Sequence, residues 1–131
     1  MLVKFSPYPH NPLYLRFYVD GKVGGSVLID VEEKVKITLW VFSDYRFTDV
    51  GPYALRYACE NSEQDEIWAQ VPEGDRAMVH AFEKAGFELI TNTPETEDYV
   101  YCWRRGEDYE EILSCEARTD LEMVHLREPV N

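Results

Sequence analysis

The sequence is short of cations, has little cysteine and contains no long apolar run. Lys and Arg number 13 against 25 Asp and Glu, a net charge of −12. That sign opposes direct binding to nucleic-acid phosphates, which needs an excess of basic side chains. It favours amine-bearing small molecules, basic peptides or a basic protein surface. Cysteine is confined to Cys59, Cys102 and Cys115, an odd number without C-x-x-C spacing, so neither a disulfide framework nor a zinc site is encoded. With His10, His80 and His125 scattered along the chain, no metal site is expected. No stretch approaches the roughly 18–20 apolar residues that span a bilayer. Met1 to Pro7 also lacks the apolar core of a signal peptide. A cytoplasmic protein without membrane contact is the expectation.

What is present suits one folded domain. The chain has 131 residues, 45% of them hydrophobic and 14% aromatic, too apolar for an acidic disordered chain and too short for two independent cores. Leu13, Leu15, Phe17 and Val19 alternate with Tyr14, Arg16 and Tyr18, the period of a half-buried strand. Asp20-Gly21 supplies a tight hairpin turn, and Gly24-Gly25 predicts a bulge in a return strand from Lys22 to Val31. A third strand puts Val35, Ile37, Leu39 and Val41 on one face and Lys36, Thr38, Trp40 and Phe42 on the other. Met1 to Phe5 predicts an edge strand, stopped by Pro7, Pro9 and Pro12.

The period then changes. Pro52 at a first helical position opens a helix over Tyr53 to Glu60. Ile67, Ala69 and Val71 alternate as another strand, and Asp75 caps a helix from Arg76 to Ala85 that Gly86 ends. A hairpin from Phe87 to Thr91 and Tyr99 to Arg104 follows, then an acidic extension with a helix from Glu107 to about Glu116. The order predicts an α+β fold: a mostly antiparallel mixed sheet, two main helices, and one central parallel pair joined through a helix.

Two segments resemble known blocks of the GNAT superfamily of N-acetyltransferases. Ile67 to Val71, a break, and Arg76 through Glu83-Lys84-Ala85-Gly86-Phe87 are similar to its strand, helix and Glu-Lys-x-Gly-Phe block. Leu39 to Gly51 resembles its acetyl-CoA block, a strand followed by Q/R-x-x-G-x-G/A at a helix start. The resemblance covers residues 13 to 104 and implies a GNAT-like domain over 1–105, with 106–131 packed on or beside it. It implies acetyl transfer to an amine, with acetyl-CoA as co-substrate between two splayed parallel strands. Val41 and Ser43 would meet the pantetheine arm. Phe47, Thr48, Val50 and Gly51 would present N–H groups to the pyrophosphate, with Arg46 as counter-ion.

The chain departs from that pattern at several positions. Asp49 replaces a glycine, Pro52 removes one N–H, Asp75 replaces an Asn, and Phe82 stands where many members carry a proton-donating Tyr. Thr38, where a family Glu often sits, is not a base. Asp44 and Glu66, placed at strand ends near the expected cleft, are weighed as water-mediated bases against plain surface acids. The helices that usually follow the first strand are missing, leaving the acceptor side open, or walled by the tail or a second subunit in a homodimer. No catalytic residue is assigned. A GNAT-like fold that has lost catalysis and binds a basic partner is the alternative. His80 reads as exposed, Cys102 as a small core residue, and Tyr99, Tyr101 and Trp103 as one strand face, packed under the tail or exposed.

Overall fold

The computed structural model describes residues 2–93 and 95–105. The sequence expectations for 106–131, including the acidic helix, Cys115 and His125, lie outside the described residues. Seven strands form one sheet in the order β1-β2-β3-β4-β5-β7-β6. They are β1 (Val3–Tyr8), β2 (Asn11–Val19), β3 (Lys22–Asp30), β4 (Lys36–Val41), β5 (Glu66–Pro72), β6 (Glu88–Thr93) and β7 (Asp98–Arg104). Helix α1 (Val50–Asn61) joins β4 to β5, and α2 (Arg76–Lys84) joins β5 to β6. All neighbouring strands are antiparallel except β4 and β5.

Local chemistry accounts for the β2–β3 hairpin. Asp20 and Gly21 have φ of 51° and 85°, the left-handed pair that a two-residue turn requires. The register moves from Phe17↔Gly25 to Tyr18↔Val23, so Gly24 is the bulged residue. Gly25 is needed for a different reason. A Cβ there would lie 1.9 Å from the Trp40 carbonyl oxygen, so only glycine lets β3 approach the end of β4 this closely.

The two helices pack side by side against one sheet face. Phe17, Val27, Leu39, Leu55, Ile67, Phe82, Tyr101 and Trp103 form one continuous core beneath them. Burying side chains of this size contributes roughly 1.5–3 kcal/mol each. Asp75 caps α2 by accepting from the Met78 N–H, worth about 1 kcal/mol, and Gly86 leaves the helix at φ 96°. The other sheet face bears Tyr8 stacked on Tyr14, and Lys34 over the Trp68 ring.

Several boundaries differ from the sequence expectations. The first strand does not end before Pro7 but runs through it to Tyr8. β1 is an edge strand, where a missing N–H costs nothing on the outer side, and the register slips between Pro7 and Tyr8. Helix α1 starts at Val50, so Pro52 is its third residue rather than its first. Proline fits there because the first four helical N–H groups have no intrahelical acceptor. The last hairpin begins at Glu88 and reaches Thr93 instead of stopping at Thr91. Tyr99 is half-buried, and Tyr101 and Trp103 are neither exposed nor at a surface: they are 0% and 1% accessible, in the core.

Candidate functional site

The parallel pair is joined at a single register position, Lys36↔Trp68, with the Trp68 N–H donating to the Val35 carbonyl at 2.8 Å. Beyond it β4 and β5 diverge. Main-chain groups alternate in direction along a strand. The Phe42 N–H donates to Gly24 on the β3 side, and the Val35 carbonyl serves β5. The main-chain groups of Leu39 and Val41 therefore face the gap that opens toward the C-terminal ends of both strands.

At the mouth of that gap the chain makes one 3-10 turn, Ser43–Tyr45, and enters α1. A shallow cleft lies there, open to solvent and enclosing only about 10 Å³. Its walls bring together Val41, Arg46, Phe47, Thr48 and Gly51 with Tyr45 and, from α2, Ala77, Met78 and Ala81. Gly51 sits where α1 meets α2: a Cβ on it would lie 3.3 Å from the Ala81 Cβ. Five of the seven residues expected at the cofactor thus line one cleft. Ser43 is exposed in the turn, and Val50 points into the core at 1% accessibility.

The loop engages some of its own donors. The Thr48 N–H donates to the Tyr45 carbonyl at 3.3 Å, and the Thr48 hydroxyl also donates to that carbonyl. The Val50 N–H donates to Thr48 Oγ1 at 3.3 Å. The first α1 bond inside the helix is Tyr53 N–H to the Asp49 carbonyl, so the Gly51 N–H belongs to the helix's uncommitted first turn. Phe47 adopts φ 63° and is 67% exposed, an uncommon conformation for an aromatic residue.

Charge at the mouth is paired internally. Arg46 donates to the Asp75 carboxylate, which also caps α2. Asp49 does not cap α1 with its side chain; its carboxylate is bound by Lys84 and stays outside the cleft wall. The sequence alone did not single out Tyr45, Met78 or the Arg46–Asp75 pair. Asp75 carried a signal, an acid at the start of α2, but its partner lies far away in sequence.

Other candidates fall elsewhere. Glu66 is at the opposite, closed end of β5 and not beside the cleft. There it accepts from Trp68 Nε1 at 2.7 Å and from Arg104, and the Trp68 bond first of all holds its carboxyl below the usual range. Asp44 is exposed in the turn at the open end. Phe82 is buried against Phe87, edge to face, and stacked on Tyr101. The Tyr101 hydroxyl donates to Glu83 at 2.7 Å, and burial together with that carboxylate pushes its pKa up. Cys59 and Cys102 are buried thiols with raised pKa, chiefly through desolvation, and His80 is exposed. Among the described residues no group of three His, Cys, Asp or Glu side chains could hold a metal ion, and no helix is long and apolar enough to cross a membrane.

This arrangement, a mixed sheet with one parting parallel pair and two helices, is the fold of the GNAT acetyltransferases. A GNAT-family acetyltransferase from Streptococcus pneumoniae superposes with a TM-score of 0.57 over 71% of this chain and 66% of its own, at 18% identity. A GNAT-family acetyltransferase from Bacillus cereus gives 0.61 over 72% and 71%, at 14% identity. An Arabidopsis thaliana protein in complex with the bisubstrate analogue CoA-Ac-MVNAL gives 0.60 over 80% of this chain and all of its own, at 15% identity. At these identities the likeness is one of fold. The chain spans 64–66% of the length of several structures it matches. No family model and no curated protein matches the sequence.

Proposed function

We propose that the protein transfers an acetyl group from acetyl-CoA to an amine, using the cleft between β4 and β5. The observation that carries this reading is the loss of pairing beyond Lys36↔Trp68, which opens a main-chain slot directly beside Arg46 and Gly51. The slot fits an extended amide-bearing arm, because the Leu39 and Val41 main-chain groups facing it can pair with amides as a further strand would. The Gly51 N–H at the positive end of α1, with the Arg46 guanidinium, suits a pyrophosphate. Asp49 does not oppose this, since its carboxylate is turned to Lys84.

Bound there, acetyl-CoA supplies an acetyl thioester activated toward amines. The chain's contribution is positioning and main-chain hydrogen bonding. Phe82 cannot donate a proton, and losing such acid–base help costs about 10²–10⁴ in rate. Exposed carboxylates at the open end, Asp44 among them, favour a cationic acceptor, either a small amine or a basic protein.

Phe82 and the Arg46–Asp75 pair support a second reading, a GNAT fold that binds a basic partner without turnover. Release of free thiol from acetyl-CoA, followed with a polyamine, a lysine-rich peptide and a peptide with a free N-terminus, separates the two. Amine-dependent release supports transfer. Binding of acetyl-CoA without release supports the second reading, and the absence of both excludes acetyl-CoA chemistry at this site.

A further inference from the structure

Between β4 and α1 the chain turns sharply at Arg46 and Phe47. The Thr48 N–H reaches back to the Tyr45 carbonyl at 3.3 Å, Arg46 has φ −67° and ψ 146°, and Phe47 has φ 63°. These are the marks of a type II turn, whose third residue needs positive φ and is ordinarily glycine or asparagine. A phenylalanine there strains the backbone. Burial does not compensate. The side chain is 67% exposed, lies outside the hydrophobic core, and among the described residues stacks on no other ring.

The place of this ring is specific. Phe47 lines the cleft between Arg46 and Thr48. Trp40 and Phe42 are also exposed aromatics at the end of β4, yet neither lines the cleft. The orientation of acetyl-CoA in the proposed site fixes what passes Phe47. With the pantetheine arm along the Leu39 and Val41 main chain, and the pyrophosphate at Arg46 and the Gly51 N–H, the adenosine is the end left outside. It leaves past the turn that carries Phe47.

We propose that the Phe47 ring is the platform on which the adenine of acetyl-CoA stacks. This rests on the acetyltransferase reading and adds to it a nucleobase subsite. A purine laid on the ring covers apolar surface that the fold leaves in water, and stacking holds a base without hydrogen bonds to its edge. The ring therefore selects acetyl-CoA over an acetyl thioester of phosphopantetheine, which brings no base to this position.

Phe47→Asn in the full chain tests it, because asparagine accepts positive φ and offers no ring. Calorimetric titration should show acetyl-CoA bound about five- to tenfold more weakly by the variant, the lower end of base–aromatic stacking. S-acetyl phosphopantetheine should bind both proteins within about twofold. The thermal midpoint of the ligand-free variant should be equal or higher, since the turn is relieved. Unchanged acetyl-CoA affinity overturns the inference. So does an equal loss for both ligands, which would assign Phe47 to the shape of the loop. If the native chain binds no acetyl-CoA, the acetyltransferase reading fails and takes the stacking with it, whereas tight binding that ignores Phe47→Asn removes the stacking alone. A second measurement needs no variant. Nuclear Overhauser contacts between the adenine protons and the Phe47 ring are expected in the saturated complex, and their absence there contradicts stacking.

Discussion

Arg46, on the loop leading into α1, is ion-paired with Asp75, the residue that caps α2. The pair bridges the two helices across the mouth of the β4–β5 cleft. A pyrophosphate entering there competes with Asp75 for the guanidinium. Asp75→Asn keeps a capping oxygen but removes the competing charge. Both side chains are about a third exposed, and such pairs are worth about 0.2–1 kcal/mol. Acetyl-CoA affinity should therefore rise roughly two- to fivefold in a calorimetric titration. Arg46→Ala should lower it about tenfold, because charge-assisted hydrogen bonds to an anion are lost.

Asp49 makes the opposite case. Its carboxylate pairs with Lys84 away from the cleft wall. Asp49→Asn should change acetyl-CoA affinity by less than about threefold, the scale of an exposed ion pair. A tenfold gain in the same titration would show that the carboxylate faces the phosphates after all.

Stability at the end of β4 depends on Gly25. Alanine there meets the Trp40 main-chain oxygen, an atom that cannot rotate away, and strains a backbone at φ 156°. Overpacking of this kind costs about 1–3 kcal/mol. Chemical denaturation should show Gly25→Ala destabilised by about that amount, while Gly74→Ala, with nothing within 4 Å of the added carbon, should be close to neutral.

Alkaline pH should weaken the fold through Tyr101. Burial and the Glu83 carboxylate raise its pKa in the folded state above the ordinary value near 10. The unfolded chain then loses this proton at lower pH than the native one. The contribution is complete below pH 10 and declines as pH rises above it. Tyr101→Phe should flatten that decline, as measured by thermal midpoints between pH 8 and 11.

Local features of this chain could be read from its residues. Asp20-Gly21, Gly24, the Asp75 cap and the Gly86 stop each act within a few residues, and the strand alternation of Val35 to Phe42 needs only a buried face. Pro7 misled because strand-breaking by proline depends on whether the strand is at an edge, which neighbours decide. Pro52 misled because proline is tolerated through the first turn, not only at its first position. Glu66 was misplaced for a topological reason. β5 runs parallel to β4, so its first residue lies at the paired end and its last at the open end. The Arg46–Asp75 and Asp49–Lys84 pairs join residues brought together only by the packing of α1 on α2.

Acetyl-CoA bound in the gap between β4 and β5 would lie against the main chain of β4 and the first turn of α1. Following backbone amide resonances during an acetyl-CoA titration tests it most directly. Binding in the gap should give saturable shifts at Leu39, Val41, Phe47 and Gly51, with Leu13, Asn61 and Trp68 unmoved. An absence of saturable shifts at millimolar acetyl-CoA, or shifts confined to the closed end of the sheet, would contradict it.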